Sequence, residues 1–162
     1  MRYANCFTFK NRLFALITTL ISVFSVSAQL QVGANRTESY LPLIKNKSIG
    51  VVANATSVIF KPNATYTHLI DSLLTHEVRI QAIFTPEHGF RTDADAGEAV
   101  ASGVDAKTGI NLVSLYGENK KPSLEQLEGI EILLFDIQDV GVRFYTYIAT
   151  LQLVMEAAAD AG

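Results

Sequence analysis

Three apolar runs of strand length, each followed by polar residues, constrain the fold of this chain more than any other feature. They are KSIGVVAN (Lys47 to Asn54), EVRIQAIFTP (Glu77 to Pro86) and GIEILLFDIQ (Gly129 to Gln138). Strands that are apolar along most of their length are typical of parallel sheets, which helices cover on both faces. Helical patterns occupy Thr65 to Thr75, Ser123 to Leu127 and Thr146 to Ala161. The sequence therefore predicts an α/β fold: a Rossmann-like, mostly parallel sheet with helices on both faces.

The remaining segments predict less regular structure. Residues 29–46 are polar for most of their length and are predicted to form an N-terminal arm, and ATSVIFKPNATY is predicted to be a loop because Pro62 and Asn63 interrupt it. A long irregular stretch is expected from Glu87 to about Asn111, followed by a short strand at LVSLYG. GIEILLFDIQ is predicted to be the most clearly buried strand, since five apolar residues fall between Glu131 and Gln138.

The first 28 residues have the pattern of a secretory signal. Arg2, Lys10 and Arg12 precede the apolar run LFALITTLISVFSV, and no acidic residue accompanies them. The run has 14 residues, fewer than the about 20 that a transmembrane helix needs. Small residues stand at the −3 and −1 positions of a cleavage site after Ala28. We therefore expect an exported protein, periplasmic or extracellular, that does not contact a membrane after cleavage. An uncleaved membrane anchor is the alternative.

Composition excludes several classes of function. Cys6 lies within the predicted signal, so neither a cysteine nucleophile nor a zinc–thiolate site is expected. Removing the signal's three basic residues from the chain's 13 leaves ten Lys and Arg against 16 Asp and Glu. An acidic domain of this kind is a poor binder of nucleic acid, because neutralisation of phosphates dominates that affinity. No Gly-x-Gly-x-x-Gly follows the first strand, so no cofactor is predicted.

Polar residues follow three of the predicted strands at their carboxyl ends. The segments are Asn54–Thr56, Pro86–Arg91 and Asp136–Arg143. In open α/β sheets these ends meet at one edge, and ligands bind in the crevice outside it. The sequence therefore predicts a single site to which all three segments contribute.

The motif PEHG carries the strongest candidates for catalysis. Glu87 and His88 follow a proline that ends a strand, where a carboxyl group can be half buried. Burial raises the pKa of a carboxyl group and suits it to general acid catalysis. His88 could orient the carboxyl group or bind substrate, and Gly89 allows close approach of the backbone. The alternative is a polar pair that caps a neighbouring helix.

The acidic residues that follow raise the question of a metal. Asp93, Asp95 and Glu98 have the alternating spacing of a calcium loop. The ligand series stops after two positions, however, and flanking helices are not evident in the pattern. We therefore predict no metal site here, and we favour a solvated or sugar-binding loop.

The segment FDIQDVGVRFYTY combines acids, an amide and aromatic residues. Asp136, Gln138 and Asp139 leave the strand, and Arg143 and Tyr145 follow. Aromatic rings stack on the apolar faces of sugars while carboxylates and amides bind the hydroxyls, so this composition favours a carbohydrate ligand. Alternatively, Asp136 caps the next helix, Arg143 pairs with Asp139 and the tyrosines belong to the core.

Four motifs, PEHGFRTDADAGE, LVSLYG, KP and FDIQDVGVRFYTYI, occur in this order. Together they resemble the exo-β-N-acetylmuramidase family, over about Lys47 to Gly162. The resemblance implies that residues 47–162 form a Rossmann-like N-terminal catalytic domain. In the family this domain continues into more sheet and a smaller C-terminal domain, with the active cleft between the two. We therefore expect this chain to be a partial fragment with little or no activity on its own.

The resemblance also implies a reaction and a set of site residues. Members of the family remove N-acetylmuramic acid from the non-reducing end of peptidoglycan fragments, so peptidoglycan-derived muramyl saccharides are the expected partners. Glu87 is the implied catalytic carboxyl group, with His88 beside it. The residues implied to line the sugar site are Asn54, Arg91, Asp136, Gln138, Asp139, Arg143 and Tyr145. Asp136 or Asp139 could supply the second carboxyl group that glycosidases use. A non-catalytic peptidoglycan-binding module and a metal-dependent hydrolase stay open as alternatives.

Overall fold

The structure, a computed structural model, describes residues 31–91 and 101–162 together with Asn11, Arg12 and Phe14. Met1–Gln31 and Val32–Gly162 form two compact units, and every element below belongs to the second. Most of the predicted signal, and the acidic positions Asp93, Asp95 and Glu98, lie outside the described residues. Across the described ranges, none of the helices has both the length and the apolar character required to cross a bilayer.

A short 3₁₀ turn, Gly33–Asn35, opens the domain. The helices are α1 (Thr37–Ile44), α2 (Leu69–Thr75), α3 (Leu124–Leu127) and α4 (Tyr147–Ala161). The strands are β1 (Ser48–Ala53), β2 (Val58–Phe60), β3 (Tyr66–His68), β4 (Arg79–Thr85), β5 (Gly103–Val104), β6 (Asn111–Ser114) and β7 (Ile132–Asp136).

The main sheet has the strand order β5-β6-β4-β1-β7. Strands β6, β4, β1 and β7 are parallel, and the short β5 is antiparallel to β6. The chain moves outward from β1 through β4 to β6 and then crosses back to place β7 on the other side of β1. The strand order therefore reverses between β1 and β7, and such a switch point is where open α/β sheets bind ligands.

Two apolar clusters cover the two faces of the sheet. On one face, Ile49 and Val51 of β1 pack with Ile44 of α1 and Leu69 and Leu73 of α2. On the other face, Val52 of β1 and Phe84 of β4 pack with Leu127 of α3 and with Val154 and Ala157 of α4. Because successive side chains of a strand point to opposite faces, a strand buried on both sides must be apolar throughout. The predicted fold class, with helices on both faces, is confirmed.

Several predicted elements lie where the sequence indicated them. The strands at Lys47 to Asn54 and Glu77 to Pro86 and the last helix are present with ends shifted by one or two residues. Ser123 caps α3 as expected: its side chain accepts from the backbone of Gln126, and the Gln126 side chain accepts from the backbone of Ser123. This reciprocal arrangement is a capping box, which satisfies two backbone donors at the helix start.

Other predictions were wrong in their details. The stretch predicted to be a loop contains β2 and the first residue of β3; the two pair antiparallel, and strands of three residues are too short to show a period. The helix predicted from Thr65 begins at Leu69, because His68 is still extended and caps it by accepting a hydrogen bond from Ile70 N. Within residues 29–46, helix α1 was not predicted, and its Ile44 is buried in the core.

Strand β7 is less buried than its sequence indicated. All five of its residues are half buried, whereas all six residues of β1 are buried. Among the described strands, β7 has β1 as its single neighbour and forms one margin of the sheet. Apolar composition alone could not distinguish a central strand from this one.

Candidate active site

The carboxyl ends of the parallel strands form one edge of the sheet. The strand register aligns Ser114 of β6 with Thr85 of β4, and Ala53 of β1 with Asp136 of β7. The residues that follow each strand, including Asn54, Glu87 and Tyr116, therefore lie along the same edge. Two of the three predicted segments, those after β1 and β7, are joined by hydrogen bonds, and the third contacts the start of α4, as described below.

Glu87 occupies a tight turn directly after β4. Gly89 N donates to Pro86 O at 3.1 Å, and both His88 (φ 72°) and Gly89 (φ 78°) adopt the left-handed conformation. That conformation costs a glycine nothing but strains a histidine, and strained residues concentrate at functional sites. Glu87 and His88 therefore belong to a turn that is anchored at a rigid strand end, and both are half buried.

Two hydroxyl groups contact the Glu87 carboxylate. Thr146 Oγ1 donates to Glu87 Oε2 at 3.1 Å. The pKa of Tyr116 lies above its usual value, and hydrogen bonding of its hydroxyl with the nearby Glu87 carboxylate is the main cause. Both donors are neutral at the pH at which proteins work, so they orient the carboxylate without adding a positive charge.

Asn54 links β1 to both neighbouring loops. Asn54 is 4% exposed. Its Oδ1 accepts hydrogen bonds from Thr56 N at 2.9 Å and from Thr56 Oγ1 at 2.7 Å. Burial raises the pKa of Tyr147, the first residue of α4, and side-chain hydrogen bonding with Asn54 partly offsets that increase. The backbone oxygen of Asn54 is 3.0 Å from His68 Nε2. Because His68 Nδ1 accepts from Ile70 N, Nε2 must carry the proton and donate to Asn54.

The loop after β7 is tied to the loop after β1. Ser57 Oγ donates to the backbone oxygen of Asp136, and Gln138 N donates to Thr56 Oγ1 at 3.1 Å. The Asp136 side chain is half buried, and burial raises the pKa of its carboxyl group. Within residues 31–91 and 101–162, no hydrogen-bond donor contacts that carboxyl group. Asp136 is therefore half buried without a donor, whereas Glu87 accepts a hydrogen bond from Thr146.

The remaining predicted sugar ligands of this segment are exposed. Gln138, Asp139, Arg143 and Tyr145 all lie on the surface. Asp139 Oδ1 accepts from Gly141 N at 2.6 Å and closes a turn, and the Tyr145 ring lies 5.6 Å from the ring of Phe144, which is 83% exposed. No ion pair joins Arg143 to Asp139 among the described residues. Their roles as sugar ligands stay predictions.

Arg91 is held by acidic side chains. Its Nε and Nη2 donate to the two oxygens of Asp105 at 3.0 and 3.1 Å, and its Nη2 is 3.4 Å from Asp71 Oδ1. Lys107 also pairs with Asp71. The guanidinium beside Asp105 holds the pKa of that carboxyl group at about 2. The guanidinium also lies 4.6 Å from the centre of the Phe90 ring. This geometry is that of a structural ion pair, and the sugar-binding role of Arg91 stays a prediction.

The described residues contain no group of three or more His, Cys, Asp or Glu side chains that could hold a metal ion. The predicted acidic loop of Asp93, Asp95 and Glu98 lies outside those residues. The prediction that no metal is used is therefore neither supported nor opposed at that loop.

Sequence reasoning missed several residues of this edge. Tyr116 and Ser57 lie outside the segments predicted to form the site, whereas Thr56, Thr146 and Tyr147 lie within Asn54–Thr56 and FDIQDVGVRFYTY but were not listed as site residues. Tyr116 follows the strand at LVSLYG, so its position after a fourth strand end was the available signal. Nothing in the local pattern indicates that a threonine at a helix start faces Glu87.

Comparisons with known proteins agree with this architecture. The family model described as "Exo-beta-N-acetylmuramidase NamZ, N-terminal" matches residues 49–162. The chain belongs to this family. A curated relative, the peptidoglycan beta-N-acetylmuramidase NamZ of Bacillus subtilis (strain 168), is 46% identical over 124 residues. The match covers 76% of this chain and 29% of the relative, so the chain spans less than a third of that protein's length.

Two crystal structures of DUF1343 family proteins from Bacteroides fragilis NCTC 9343 share the fold. The first has a TM-score of 0.64 and 37% identity, over 77% of this chain and 30% of that chain. The second has a TM-score of 0.63 and 40% identity, over 79% and 31%. The family membership predicted from the motifs, and the mostly parallel α/β sheet, are both confirmed.

Proposed function

We propose that this chain supplies the Glu87-bearing domain of an exported, exo-acting glycoside hydrolase. The proposed reaction releases N-acetylmuramic acid from the non-reducing end of peptidoglycan fragments. The observation that carries the proposal is a carboxylate to which Thr146 Oγ1 donates at 3.1 Å, at the sheet edge that also bears Asn54 and Asp136. The name of the Bacillus subtilis relative, a peptidoglycan beta-N-acetylmuramidase, supports the same reaction.

Glu87 is the proposed general acid. Its proton passes to the glycosidic oxygen as the bond to the sugar breaks, and positive charge then develops on the sugar ring. His88, which shares the strained turn, is proposed to orient the leaving group or the carboxyl group. The turn holds both side chains at a rigid strand end, and catalysis requires such fixed placement.

Asp136 is the proposed second carboxyl group. It lies across from Ala53, next to Asn54, at the point where the strand order reverses. Asp139, the other candidate, already binds Gly141 N within its own turn. We therefore prefer Asp136 for the stabilisation of charge on the sugar.

The exposed surface beyond β7 is proposed to bind the saccharide. Gln138 and Arg143 present polar groups for sugar hydroxyls and carboxylates, and Tyr145 lies next to the exposed Phe144 ring. Asn54 and Arg91, whose polar groups bind neighbouring protein groups, are proposed to shape the site from beneath.

The test is the release of N-acetylmuramic acid from a muramyl-terminated disaccharide. We expect Glu87→Gln in the native gene product to lower the rate by about 10²–10⁴-fold, the range that general acid catalysis contributes. The matched control is Glu77→Gln, an exposed position that precedes β4 at the opposite edge of the sheet. Equal rates for Glu87→Gln and the unchanged protein would reject the assignment.

A second function, a non-catalytic module that binds peptidoglycan fragments, is favoured by one observation. Phe144 and Tyr145 form an exposed aromatic pair beside the polar loop after β7, as in surfaces that stack on sugars. Calorimetry with muropeptides separates the two proposals. Binding that is lost in a Phe144→Ala, Tyr145→Ala double variant, without any release of sugar by the native protein, would support the module.

A further inference from the structure

We infer that Tyr116 and Thr146 are positioning residues that hold the Glu87 carboxyl group from two sides. Thr146 Oγ1, at the start of α4, donates to Glu87 Oε2 at 3.1 Å, and the Tyr116 hydroxyl, just beyond β6, interacts with the same carboxylate. The inference rests on the proposed function, because it assigns these two hydroxyls to the orientation and protonation of the proposed general acid.

The segment that carries Tyr116 is fixed to the end of β4. Leu115 N donates to Thr85 O at 2.8 Å, so the chain leaving β6 stays paired with β4 one residue beyond the strand. Tyr116 N then donates to Ser114 Oγ at 3.3 Å, and Asn119 Nδ2 donates to Ser114 O at 2.8 Å. These bonds fix the backbone on both sides of Tyr116, so its hydroxyl meets Glu87 from a rigid base.

Thr146 is used differently from an ordinary threonine at a helix start. A threonine at the N-cap normally accepts a hydrogen bond from a backbone N–H of the first turn. Thr146 is the N-cap of α4, yet its side chain makes no capping bond, and its hydroxyl donates to Glu87 instead. Its backbone oxygen accepts from Thr150 N at 3.0 Å, which anchors the residue to the helix. Helix capping therefore does not account for this hydroxyl.

The chemistry of the two donors suits an acid that must exchange a proton. A hydrogen bond donated to a carboxylate favours its ionised form, and a nearby cation would favour that form far more strongly. Hydroxyl groups restrict the side chain to one orientation and carry no full positive charge themselves. Tyr147 adds a third hydroxyl, the second aromatic one: burial is the main cause of its raised pKa, and the charge of Glu87 raises it further.

The kinetic test uses isosteric variants of the native gene product. For Tyr116→Phe and Thr146→Val we expect kcat for release of N-acetylmuramic acid to fall about tenfold, with KM within about twofold. The limb of the pH–rate profile that depends on Glu87 should move to higher pH, because the ionised carboxylate loses a donor. Thr146→Ser should restore both values. Tyr66→Phe and Thr75→Val, which change surface residues away from Glu87, are the matched controls.

A titration of the Glu87 carboxyl carbon by NMR tests the inference without any activity. The signal is assigned by its loss in Glu87→Gln of the 162-residue chain. We expect Tyr116→Phe and Thr146→Val each to raise the titration midpoint by about 0.5 pH unit, and Thr146→Ser to leave it unchanged. Midpoints that stay at the wild-type value in both isosteric variants would overturn the inference. An inactive native protein would instead count against the proposed function, while the midpoints would still decide this inference.

Discussion

Two carboxylates that depend on the segment after β4, one within it and one bound by its Arg91, are held in opposite ways. Glu87, in the turn after the strand, accepts a hydrogen bond from the Thr146 hydroxyl at 3.1 Å and interacts with the Tyr116 hydroxyl. Asp105 receives two from the Arg91 guanidinium, at 3.0 and 3.1 Å, and two more from Thr108, at 2.6 and 3.2 Å. The sequence separation between Glu87 and Arg91 is only four residues.

The contrast separates a group that is proposed to react, Glu87, from a group that stabilises the fold, Asp105. A guanidinium fixes the ionised state of its partner, and the pKa of Asp105 accordingly lies at about 2. Neutral hydroxyls orient a carboxyl group but leave it able to gain and lose a proton. The segment after β4 thus carries the proposed general acid at Glu87 and, four residues later, the arginine of a structural ion pair.

The ion pair between Arg91 and Asp105 should contribute more to the free energy of unfolding than the contacts of Glu87 do. We expect Asp105→Asn to lower the free energy of unfolding by about 2–3 kcal/mol, because Arg91 loses a bidentate partner in a half-buried site. Urea unfolding measures the change, with Glu87→Gln as the comparison variant. If Glu87→Gln destabilises the protein as much as Asp105→Asn, the distinction between the two carboxylates fails.

The same ion pair should give stability a defined pH dependence. The pKa of Asp105 falls from 3.8 to about 2 on folding, so its contribution is present above about pH 4 and is lost as the pH falls towards 2. That shift corresponds to about 2 kcal/mol. Urea unfolding between about pH 2 and pH 6 should show this loss in the wild type and not in Asp105→Asn. Parallel curves for the two proteins would contradict the assignment.

Asp136 extends the comparison to a carboxyl group that is buried without a cation. Burial raises its pKa, so the ionised form is the unfavourable one in the folded state. Stability from this group is greatest below its usual pKa and is lost as the pH rises through the raised value. Asp136→Asn should therefore stabilise the protein slightly at neutral pH, by less than Asp105→Asn destabilises it. Asp139→Asn is the exposed control, and a loss of stability in Asp136→Asn alone would contradict this account.

Thr85 lies at the end of β4 between the two regions and should matter least for stability. It is 1% exposed, and its hydroxyl has no hydrogen-bond partner among the described residues. Thr85→Val removes an unsatisfied hydroxyl at nearly constant volume, so we expect a change within about 0.5 kcal/mol, measured by urea unfolding. Thr150→Val is the matched control, since the Thr150 hydroxyl bonds to Thr146 O at 3.3 Å and its removal should cost about 1 kcal/mol. A large loss for Thr85→Val would reveal a contact that the structure lacks.

Much of the fold could be predicted because the central strands are apolar on both faces. The apolar runs around Val51 and Ile83 fit a parallel sheet that helices cover on both faces. The polar residues that follow these runs predicted the common edge. The pair β2–β3 could not be predicted, because three-residue strands show no period. The exposure of β7 depends on which strands flank it, and a sequence pattern does not contain that information.

The candidate site also contains some residues whose position the sequence could predict and others whose position it could not. Glu87 and His88 could be predicted from a motif and a strand end, and both lie at the shared edge. Tyr116 and Thr146 could not be assigned, because their relation to Glu87 arises only when β6 and α4 pack against β4. Arg91 shows the reverse case: an arginine near a catalytic motif suggested a substrate contact, and its position in space pairs it with Asp105.

The central claim is that Glu87 is the general acid. It is tested most directly by introducing Glu87→Gln into the native gene product and measuring the loss of rate on two substrates. One is the muramyl-terminated disaccharide, whose sugar leaving group needs a proton. The other is an aryl muramyl glycoside, whose leaving group departs without one. We expect the variant to lose about 10²–10⁴-fold on the disaccharide and far less on the aryl glycoside. An equal loss on both substrates, or no loss on the disaccharide, would contradict the claim.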